Sequence, residues 1–291
     1  MWPKVPDQHK PGKPLVPWGL GVIYVLFSTV YLFSIYFVQR PTGVSAPLTL
    51  AVCILFGGFM GMLDDWIDLK WRYKAFMPLI AALPLMFFVL SDLLSPVSIM
   101  RTSITIPLIG RVQFGEAYIF LIIPLIVMII TNTINMLGGL NGLETICPAI
   151  ILGGLTLIAA PEFQLLMIGP LIVWIILAIF NFQGRLFVGN TGSFAIGLTI
   201  AAFAVITDLK SSLLISILPY VFNSVLILLT VFFVKKKAGV QFDGKYLISE
   251  HRRSIVTLLT YKRPLTERQV VVMISAIVAV FTFLAIIAFI L

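Results

Sequence analysis

The chain has 291 residues, of which 60% are hydrophobic and 11% are charged, and its formal net charge is +8. Soluble domains carry about 25% charged residues, so the composition excludes a soluble globular protein. Because apolar runs recur along the whole length, it also excludes a protein with a single membrane anchor. The positive charge is interpreted through membrane topology, and nucleic-acid binding is not expected.

Nine apolar stretches are long enough for a helix to cross a bilayer core about 30 Å thick, which needs about 20 residues. They predict an all-α polytopic membrane protein with about nine transmembrane helices (nine or ten), organised as one integral membrane domain over residues 1–291. The first stretch is too long for a signal peptide and lacks a small-residue cleavage site. In chain order the stretches cover roughly 15–38, 45–63, 76–94, 117–136, 143–160, 163–181, 191–207, 212–234 and 269–291.

Residues 97–115, between the third and fourth stretches, are rich in β-branched side chains in alternation and are interrupted by Pro107 and Gly110. This pattern predicts a small external β-hairpin. Cys53 and Cys147 lie in or beside apolar stretches and are interpreted as buried packing residues. They therefore do not indicate a redox compartment.

The basic residues orient the predicted helices, because lysine and arginine are enriched in cytoplasmic loops. If the N-terminus is cytoplasmic, most of the 20 Lys and Arg residues fall on the cytoplasmic side, including those of a basic loop at 235–268. The exceptions are Arg40, Arg101, Arg111 and Lys210. Every polar motif described below falls on the same side, so the sequence predicts one composite site at the cytoplasmic face.

Three of the 12 acidic residues, Asp64, Asp65 and Asp68, fall within five positions at the end of the second stretch. Carboxylates at a membrane boundary are costly unless a metal ion, another cation or a proton neutralises them. If the helix continues, Asp64 and Asp68 lie one turn apart on one face. With Lys74 nearby, the motif indicates phosphate-ester chemistry with a divalent cation. The alternative is a solvated helix end whose carboxylates pair with the basic residues that follow.

A second motif interrupts the apolar chain with Asn132, Asn135 and Asn141 and with the glycines at 138–139. Asn135 offers a neutral oxygen that suits Mg²⁺, and the glycines allow a ligand to approach the backbone closely. Alternatively, the glycines and asparagines only cap helices. Glu144 begins the next helix, where a carboxylate suits the helix dipole and is interpreted as structural.

The third motif lies at 185–193, directly before the seventh stretch. Asn190 and Thr191 could cap that helix while the loop backbone faces a phosphate. Phe187 is a candidate for stacking on a nucleobase. The alternative for Phe187 is an aromatic anchor at the membrane interface.

The fourth motif is the basic loop 235–268, which carries His251, Arg252 and Arg253 away from any apolar stretch. The two arginines could bind a diphosphate through paired N–H donors. The alternative is a solvated basic surface. His9, the other histidine, lies in a polar N-terminal tail and is interpreted as inert.

At these motifs the chain resembles the polyprenyl-phosphate N-acetylhexosamine-1-phosphate transferases. Residues 61–74 resemble the aspartate motif of that family with its downstream lysine, and residues 187–192 resemble its third motif. Residues 132–144 are most similar to the branch that acts on dolichyl phosphate and N-acetylglucosamine. The resemblance spans about residues 45–260.

Two departures from the family pattern stand out. The third motif usually carries an aspartate that helps to hold Mg²⁺, and here that position is Asn190. Metal binding is then expected to depend more on Asn135, on the nucleotide diphosphate, and on Asp64 or Asp65. The histidine cluster of the bacterial enzymes is reduced to His251, which again resembles the dolichol branch.

The resemblance implies transfer of GlcNAc-1-phosphate from UDP-GlcNAc to a polyprenyl (dolichyl) phosphate, with release of UMP. The implied catalytic residues are Asp64, Asp65, Asp68 and Lys74. The implied metal ligands are Asn135 and Asn190. The implied substrate contacts are Asn132, Asn141, Phe187, His251, Arg252 and Arg253.

The implied cofactor is Mg²⁺, with Mn²⁺ as a substitute. The implied partners are UDP-GlcNAc, the polyprenyl phosphate, membrane lipid and a second copy in a homodimer. One alternative is a transferase for another UDP-N-acetylhexosamine, such as phospho-MurNAc-pentapeptide. A non-enzymatic lipid or sugar transporter would place polar groups near the bilayer midplane and carry internal repeats, neither of which is evident. An inactive binding protein is the third alternative, and Asn190 is the reason to consider it.

Overall fold

The computed structural model describes residues 2–39, 45–95, 100–106, 109–235 and 239–291. Arg40 and Pro107, which entered the sequence predictions, lie outside these ranges, as do residues 236–238 of the basic loop. The helices are α1 Gly21–Gln39, α2 Ala46–Ile67, α3 Trp71–Ala81, α4 Leu83–Leu93, α5 Ile123–Met136, α6 Leu143–Ile158, α7 Pro161–Phe182, α8 Gly189–Ile206, α9 Lys210–Ser216, α10 Leu218–Leu229, α11 Ile255–Leu259 and α12 Glu267–Ile290. The strands are β1 Lys4–Pro6, β2 Leu15–Pro17, β3 Ser103–Ile106, β4 Gly110–Gln113, β5 Gln241–Phe242 and β6 Leu247–Ile248. Two π-helical turns, Tyr118–Ile122 and Thr230–Val234, extend α5 at its beginning and α10 at its end.

Within the described ranges, seven helices are long and apolar enough to cross a membrane, with α3 and α4 counted together. An eighth is added if α9 and α10, which are inclined by 57° to each other, form one broken span. The break precedes Pro219, which has no N–H and disfavours helix at the residue before it. The apolar helix α6 is shorter, with 16 residues. Each predicted stretch therefore contains helix, and the all-α polytopic class is confirmed: the chain is an integral membrane protein.

Helix boundaries near the polar motifs differ from the prediction. α1 begins at Gly21, because residues 15–17 form β2. α2 continues to Ile67 and α3 begins at Trp71. Most of residues 64–75, which separate the second and third predicted stretches, are therefore helical, and Lys74 lies in α3. Hydropathy locates an apolar run, but it does not report the polar turns by which a helix extends beyond that run.

The predicted β-hairpin is confirmed by β3 and β4, which pair antiparallel with Ser103 opposite Gln113. It docks on α9, where the backbone N–H of Thr105 donates to the hydroxyl oxygen of Ser211 at 3.0 Å. Two further hairpins, β1–β2 and β5–β6, were not predicted. Their strands have only three and two residues, too few for an alternating pattern to be recognised.

The central helix is α8. Of its 18-residue apolar stretch, 94% is buried inside the protein, whereas the corresponding share in the other long helices is 28% to 56%. Small residues let its neighbours approach closely, as is common between membrane helices. A Cβ atom added to Gly57 of α2 would lie 2.8 Å from the carbonyl oxygen of Phe194, and one added to Gly21 of α1 would lie 2.3 Å from Gly192. Both α1 and α2 therefore pack directly against the first half of α8.

Polar side chains within the bundle are paired across helices. The hydroxyl of Tyr24 in α1 donates to Thr199 of α8 at 2.8 Å, and the indole N–H of Trp174 in α7 donates to the carbonyl oxygen of Thr145 in α6 at 2.9 Å. The rings of Tyr24 and Trp174 meet edge to face at 5.0 Å. Because lipid offers no hydrogen bonds, these pairs fix how α1, α6 and α7 are rotated around α8.

Candidate active site

Asp65 in the last turn of α2 caps the beginning of α8. Its carboxylate accepts hydrogen bonds from the backbone N–H of Asn190 at 2.9 Å, from the backbone N–H of Thr191 at 3.0 Å and from the Thr191 hydroxyl at 2.7 Å. The first N–H groups of a helix lack partners within the helix, and a carboxylate there also suits the helix dipole. The predicted catalytic residue Asp65 thus holds the third motif in place.

The close approach of α2 makes this cap possible. Gly57, Gly61 and Asp65 follow one another at single-turn spacing along one face of α2. A Cβ atom added to Gly61 would lie 2.1 Å from the carbonyl oxygen of Asn190, so only glycine permits this contact. The aspartate and the glycines before it therefore act as one packing unit.

Asp64 points to a different neighbour. It is 3% exposed, and its Oδ1 lies 2.8 Å from the Lys74 ammonium and accepts the backbone N–H of Leu69 at 3.0 Å. Its Oδ2 is buried and has no hydrogen-bond partner among the described atoms. Lys74 also lies 3.3 Å from Asp68, whose side chain is 98% exposed.

The helical continuation that would place Asp64 and Asp68 on one face ends too early. α2 ends at Ile67, and Asp68 adopts a left-handed conformation with φ of 43°. The two carboxylates are instead brought together by Lys74 on the next helix. The condition under which the two carboxylates would share one helix face, a helix that continues through Asp68, is therefore not met.

Asn132 and Asn135 lie near the end of α5. The side-chain amide of Asn132 donates to the carbonyl oxygens of Ala75 at 3.0 Å and Met128 at 2.8 Å, so it ties α5 to α3. Both of its N–H donors are thus engaged within the protein, and a contact between Asn132 and a substrate stays a prediction. Asn135, three residues further along the helix, lines two adjoining cavities.

The first of these, the polar cavity, has a volume of about 320 Å³. It lies between the end of α5, the beginning of α8 and the hairpin formed by β1 and β2, called here the N-terminal hairpin. Its walls bring together three residues singled out from the sequence, Asn135, Phe187 and Asn190. Glu144, which the sequence analysis interpreted as structural, lines the same cavity.

The N-terminal hairpin forms another wall, which the sequence analysis missed. Asp7, His9 and Trp18 line the polar cavity, so His9 does not lie in a free tail. The ring of Trp18 is 5.9 Å from that of Phe187, and the ring of His9 is 6.4 Å from that of Phe242 in the basic loop. The available signal was a run of polar, proline and glycine residues directly before the first apolar stretch.

The second cavity, the apolar groove, has a volume of about 560 Å³. Lys74, Asn132 and Asn135 lie in its wall, and nearly all of its other lining residues are apolar. Asn135 and Met136 line both the polar cavity and the apolar groove. The two spaces therefore adjoin at the end of α5. The apolar part of the groove is lined by Trp71, Ala75, Phe76, Met128, Ile129, Met136, Val221, Val225, Ile227, Leu228, Val231 and Phe232.

Asn141 joins three segments near the polar cavity without being one of its lining residues. Its side-chain amide donates to Asp7 at 2.8 Å and to Glu267 at 3.0 Å, and its backbone N–H donates to Glu267 at 2.7 Å. Its buried carbonyl oxygen has no partner among the described atoms. Asn141 thus attaches the N-terminal hairpin to α12.

The basic loop reaches the same end of the bundle through Asn223. The side chain of Asn223 accepts the backbone N–H of Ile255 at 3.0 Å and donates to the carbonyl oxygen of Met136 at 3.4 Å. His251, Arg252 and Arg253 are therefore held near the end of α5, although none of them lines the polar cavity.

Within the basic loop, the predicted substrate residues contact their own segment. The Arg252 guanidinium lies 4.2 Å from the centre of the Tyr261 ring, and both residues line a separate cavity of about 340 Å³ with Arg263. His251 Nδ1 lies 3.4 Å from the hydroxyl of Ser249. A contact between these side chains and a ligand stays a prediction.

A divalent cation fits the residues of the polar cavity. No cluster of three or more His, Cys, Asp and Glu side chains within the described part of the chain could hold a metal ion. The cavity is instead lined by the neutral Asn135 and Asn190 and by the carboxylate residue Glu144. The Oε1 atom of Glu144 is buried without a hydrogen-bond partner in the described structure. Amide and carboxylate oxygens of this kind are the ligands that Mg²⁺ prefers.

Comparison with known proteins shows which family the chain resembles. Residues 47–208 match the model of glycosyl transferase family 4. A protein of Saccharolobus solfataricus, provisionally named a UDP-N-acetylglucosamine–dolichyl-phosphate N-acetylglucosaminephosphotransferase, is 29% identical over 97% of this chain and 86% of its own length. A protein of Sulfolobus acidocaldarius with the same provisional name is 31% identical over 72% of this chain and 63% of its own length. The Dictyostelium discoideum enzyme of that name is 28% identical over 75% of this chain and 62% of its own length. The match thus spans less than two thirds of the latter two relatives.

Proposed function

The chain belongs to glycosyl transferase family 4, and on that basis we propose that it transfers N-acetylglucosamine 1-phosphate from UDP-N-acetylglucosamine to a polyprenyl phosphate of the dolichyl type. The products are UMP and a lipid diphosphate sugar. The observation that carries the proposal is the junction at Asn135 and Met136, where the polar cavity adjoins the apolar groove. A reaction between a nucleotide sugar and a lipid phosphate needs such a pair of sites.

The apolar groove suits the lipid substrate. Its wall is almost entirely apolar and lies between α3, α5 and α10, so an isoprenoid chain would bury its surface there. Lys74 and Asn135 are among the few polar residues in this wall. The ammonium of Lys74 would pair with the lipid phosphate. Asp64 holds that ammonium at 2.8 Å and so positions it for the phosphate.

The polar cavity suits the nucleotide sugar. Phe187 and Trp18 supply aromatic rings on one wall, and stacking on such rings is a common way to bind a nucleobase. Gly138 and Gly139 also line the cavity, and without side chains they leave the backbone accessible to phosphate oxygens. Asn135 lies between the two substrates, so the diphosphate is expected near it.

The chemistry requires positioning more than covalent assistance from the protein. An oxygen of the lipid phosphate attacks the phosphorus that carries the sugar; a new P–O bond forms, and the bond from that phosphorus to the oxygen of UMP breaks. Lys74 offsets negative charge on the attacking phosphate, and Asp64 accepts any remaining proton from it at the free Oδ2. Mg²⁺, held by Asn135 and Asn190, would supply positive charge at the diphosphate oxygens.

We propose that the site faces the cytoplasm, with the N-terminus on the same side of the membrane. The charge distribution supports this orientation, because the basic loop and the N-terminal hairpin both meet at the end of the bundle where the site lies. A transporter would instead concentrate polar groups near the bilayer midplane. The described polar motifs gather at helix ends, which favours a transferase.

The proposal is tested by incubating the purified protein with UDP-N-acetylglucosamine and a polyprenyl phosphate, and by measuring UMP and the lipid product with Mg²⁺ and with EDTA. UMP release is expected only when the lipid phosphate and the cation are both present. Lys74→Ala is expected to abolish release. Lys70→Ala, which removes an exposed lysine one turn earlier, is expected to retain it. Absence of UMP release from folded protein would contradict the proposal.

The sugar is tested in parallel. UDP-N-acetylglucosamine is expected to be a better donor than UDP-MurNAc-pentapeptide. A preference for the pentapeptide donor would assign the chain to the alternative transferase activity, whereas movement of lipid or sugar across vesicles without UMP release would support a transporter.

A further inference from the structure

Among the residues that line the polar cavity, Asp7 and Glu144 are the acidic ones, and their surroundings differ. The Asp7 carboxylate accepts hydrogen bonds from Asn141 at 2.8 Å and from the backbone N–H of His9 at 3.1 Å, and it lies 3.5 Å from the Lys10 ammonium. The Oε1 atom of Glu144 is buried and has no hydrogen-bond partner within the described ranges. Asp7 is therefore neutralised by the protein, and Glu144 is not.

The other nearby carboxylates are also engaged. Asp65 accepts three hydrogen bonds from Asn190 and Thr191. Asp64 also has a buried oxygen, Oδ2, without a partner among the described atoms, but its charge is offset by Lys74, which lies 2.8 Å from Oδ1. A buried carboxylate oxygen without a partner is costly, so Oε1 of Glu144 is expected to meet a proton or a cation from outside the chain. The oxygen-bearing side chains of Asn135 and Asn190 line the same cavity, and such ligands suit a divalent cation.

The turn after α5 brings Glu144 close to the end of that helix. A Cβ atom added to Gly138 would lie 3.5 Å from Oε2 of Glu144 and 3.6 Å from the backbone carbonyl oxygen of Asn135. The carboxylate and the last turn of α5 are therefore both next to Gly138. Asn190 lines the same cavity from the beginning of α8.

We propose that Glu144 is a ligand of the divalent cation and supplies the negative charge that Asn135 and Asn190, both neutral, cannot provide. This assignment rests on one part of the proposed function, namely that the protein binds a divalent cation. Hard cations bind more tightly as the number of charged oxygen ligands rises. The glutamate at position 144 on α6 would thus compensate for the neutral amide at position 190. Moving the carboxylate from position 144 to position 190 should therefore preserve cation binding.

The experiment measures Mn²⁺ binding to the purified full-length protein in detergent, without nucleotide or lipid, by the electron paramagnetic resonance signal of free Mn²⁺. Glu144→Gln is expected to weaken binding by at least about tenfold, and Asn190→Asp to strengthen it. The double variant Glu144→Gln/Asn190→Asp is expected to recover binding close to that of the unmodified protein. Glu162→Gln is the matched control, because Glu162 is an exposed glutamate in the first turn of the neighbouring helix α7.

Equal Mn²⁺ binding by the unmodified protein and Glu144→Gln would overturn the assignment, as would an unmodified protein that binds no Mn²⁺. If Glu144→Gln alone does not fold, Asn190→Asp is compared with the double variant. Weaker binding by the double variant supports a ligand role, and equal binding overturns it.

The UMP assay is run separately, so the two proposals can fail independently. Glu144-dependent Mn²⁺ binding without UMP release would contradict the proposed function and leave the ligand assignment in place. UMP release with Mn²⁺ binding that does not depend on Glu144 would contradict the assignment alone.

Discussion

The carboxylate of Asp65 in α2 accepts two hydrogen bonds from Thr191 in α8, one from its backbone N–H at 3.0 Å and one from its hydroxyl at 2.7 Å. A helix is usually capped by the residue that directly precedes it. Here the capping residue, Asp65, precedes Thr191 by 126 positions in the sequence. The aspartate motif and the third motif are thereby fixed to each other, and the polar cavity depends on that attachment.

We expect Asp65→Asn to destabilise the protein by about 2 kcal/mol, because the amide cannot accept all three hydrogen bonds and its N–H groups face other donors. Asp68→Asn should change stability by less than about 0.5 kcal/mol, since that side chain is 98% exposed. Unfolding free energies measured by SDS titration in micelles test this difference. Equal effects would mean that Asp65 is not a structural cap.

Replacing Lys74 is expected to destabilise the protein more than replacing its partner Asp64. Lys74→Ala leaves a carboxylate that is 1% exposed without its counter-charge, and we expect it to cost about 3–5 kcal/mol. Asp64→Asn leaves an ammonium that is 26% exposed and can still reach water, so we expect a cost of about 1 kcal/mol. The double variant should be more stable than Lys74→Ala. An additive double-mutant cycle would show that the two residues are not coupled.

The contact between Gly61 and Asn190 predicts a strong steric effect. Gly61→Ala introduces a Cβ atom 2.1 Å from a backbone oxygen, and we expect about 3 kcal/mol of destabilisation together with displacement of the Asp65 cap. Gly153→Ala is the control, because an added Cβ there meets nothing within 4 Å. That variant should be stabilised by up to about 1 kcal/mol, as in other helix interiors. Thermal unfolding of both variants in the same detergent provides the measurement.

Blocking the apolar groove should affect one substrate and spare the other. Val225→Trp fills part of the groove, so we expect the KM for the polyprenyl phosphate to rise at least about tenfold while the KM for the nucleotide sugar changes little. Val280→Trp, at a 56% exposed position on α12, serves as the control. A parallel rise in both KM values would indicate a general loss of structure instead of a blocked lipid site.

Hydropathy, charge and motif order predicted the helical membrane class, the small hairpin between β3 and β4, and the presence of Asn135, Phe187 and Asn190 at one site. The membrane class and the hairpin are confirmed, and Asn135, Phe187 and Asn190 line one cavity. The membrane class is readable because a bilayer imposes a long apolar run on every spanning helix, and polar residues that interrupt such runs stand out. The same patterns did not distinguish Asp64 from Asp65. Successive helix residues point about 100° apart, so neighbours in sequence meet different partners.

The sequence by itself determined that the chain is a helical membrane protein, and it marked the polar residues that interrupt the apolar runs. Only the tertiary structure decided that the N-terminal hairpin lines the polar cavity and that Arg252 stacks on Tyr261 away from it. It also decided that Oε1 of Glu144 is buried without a hydrogen-bond partner among the described residues. Hydropathy is a property of each segment alone. The partner that a side chain meets depends on how the helices are rotated and how closely glycines such as Gly61 let them approach.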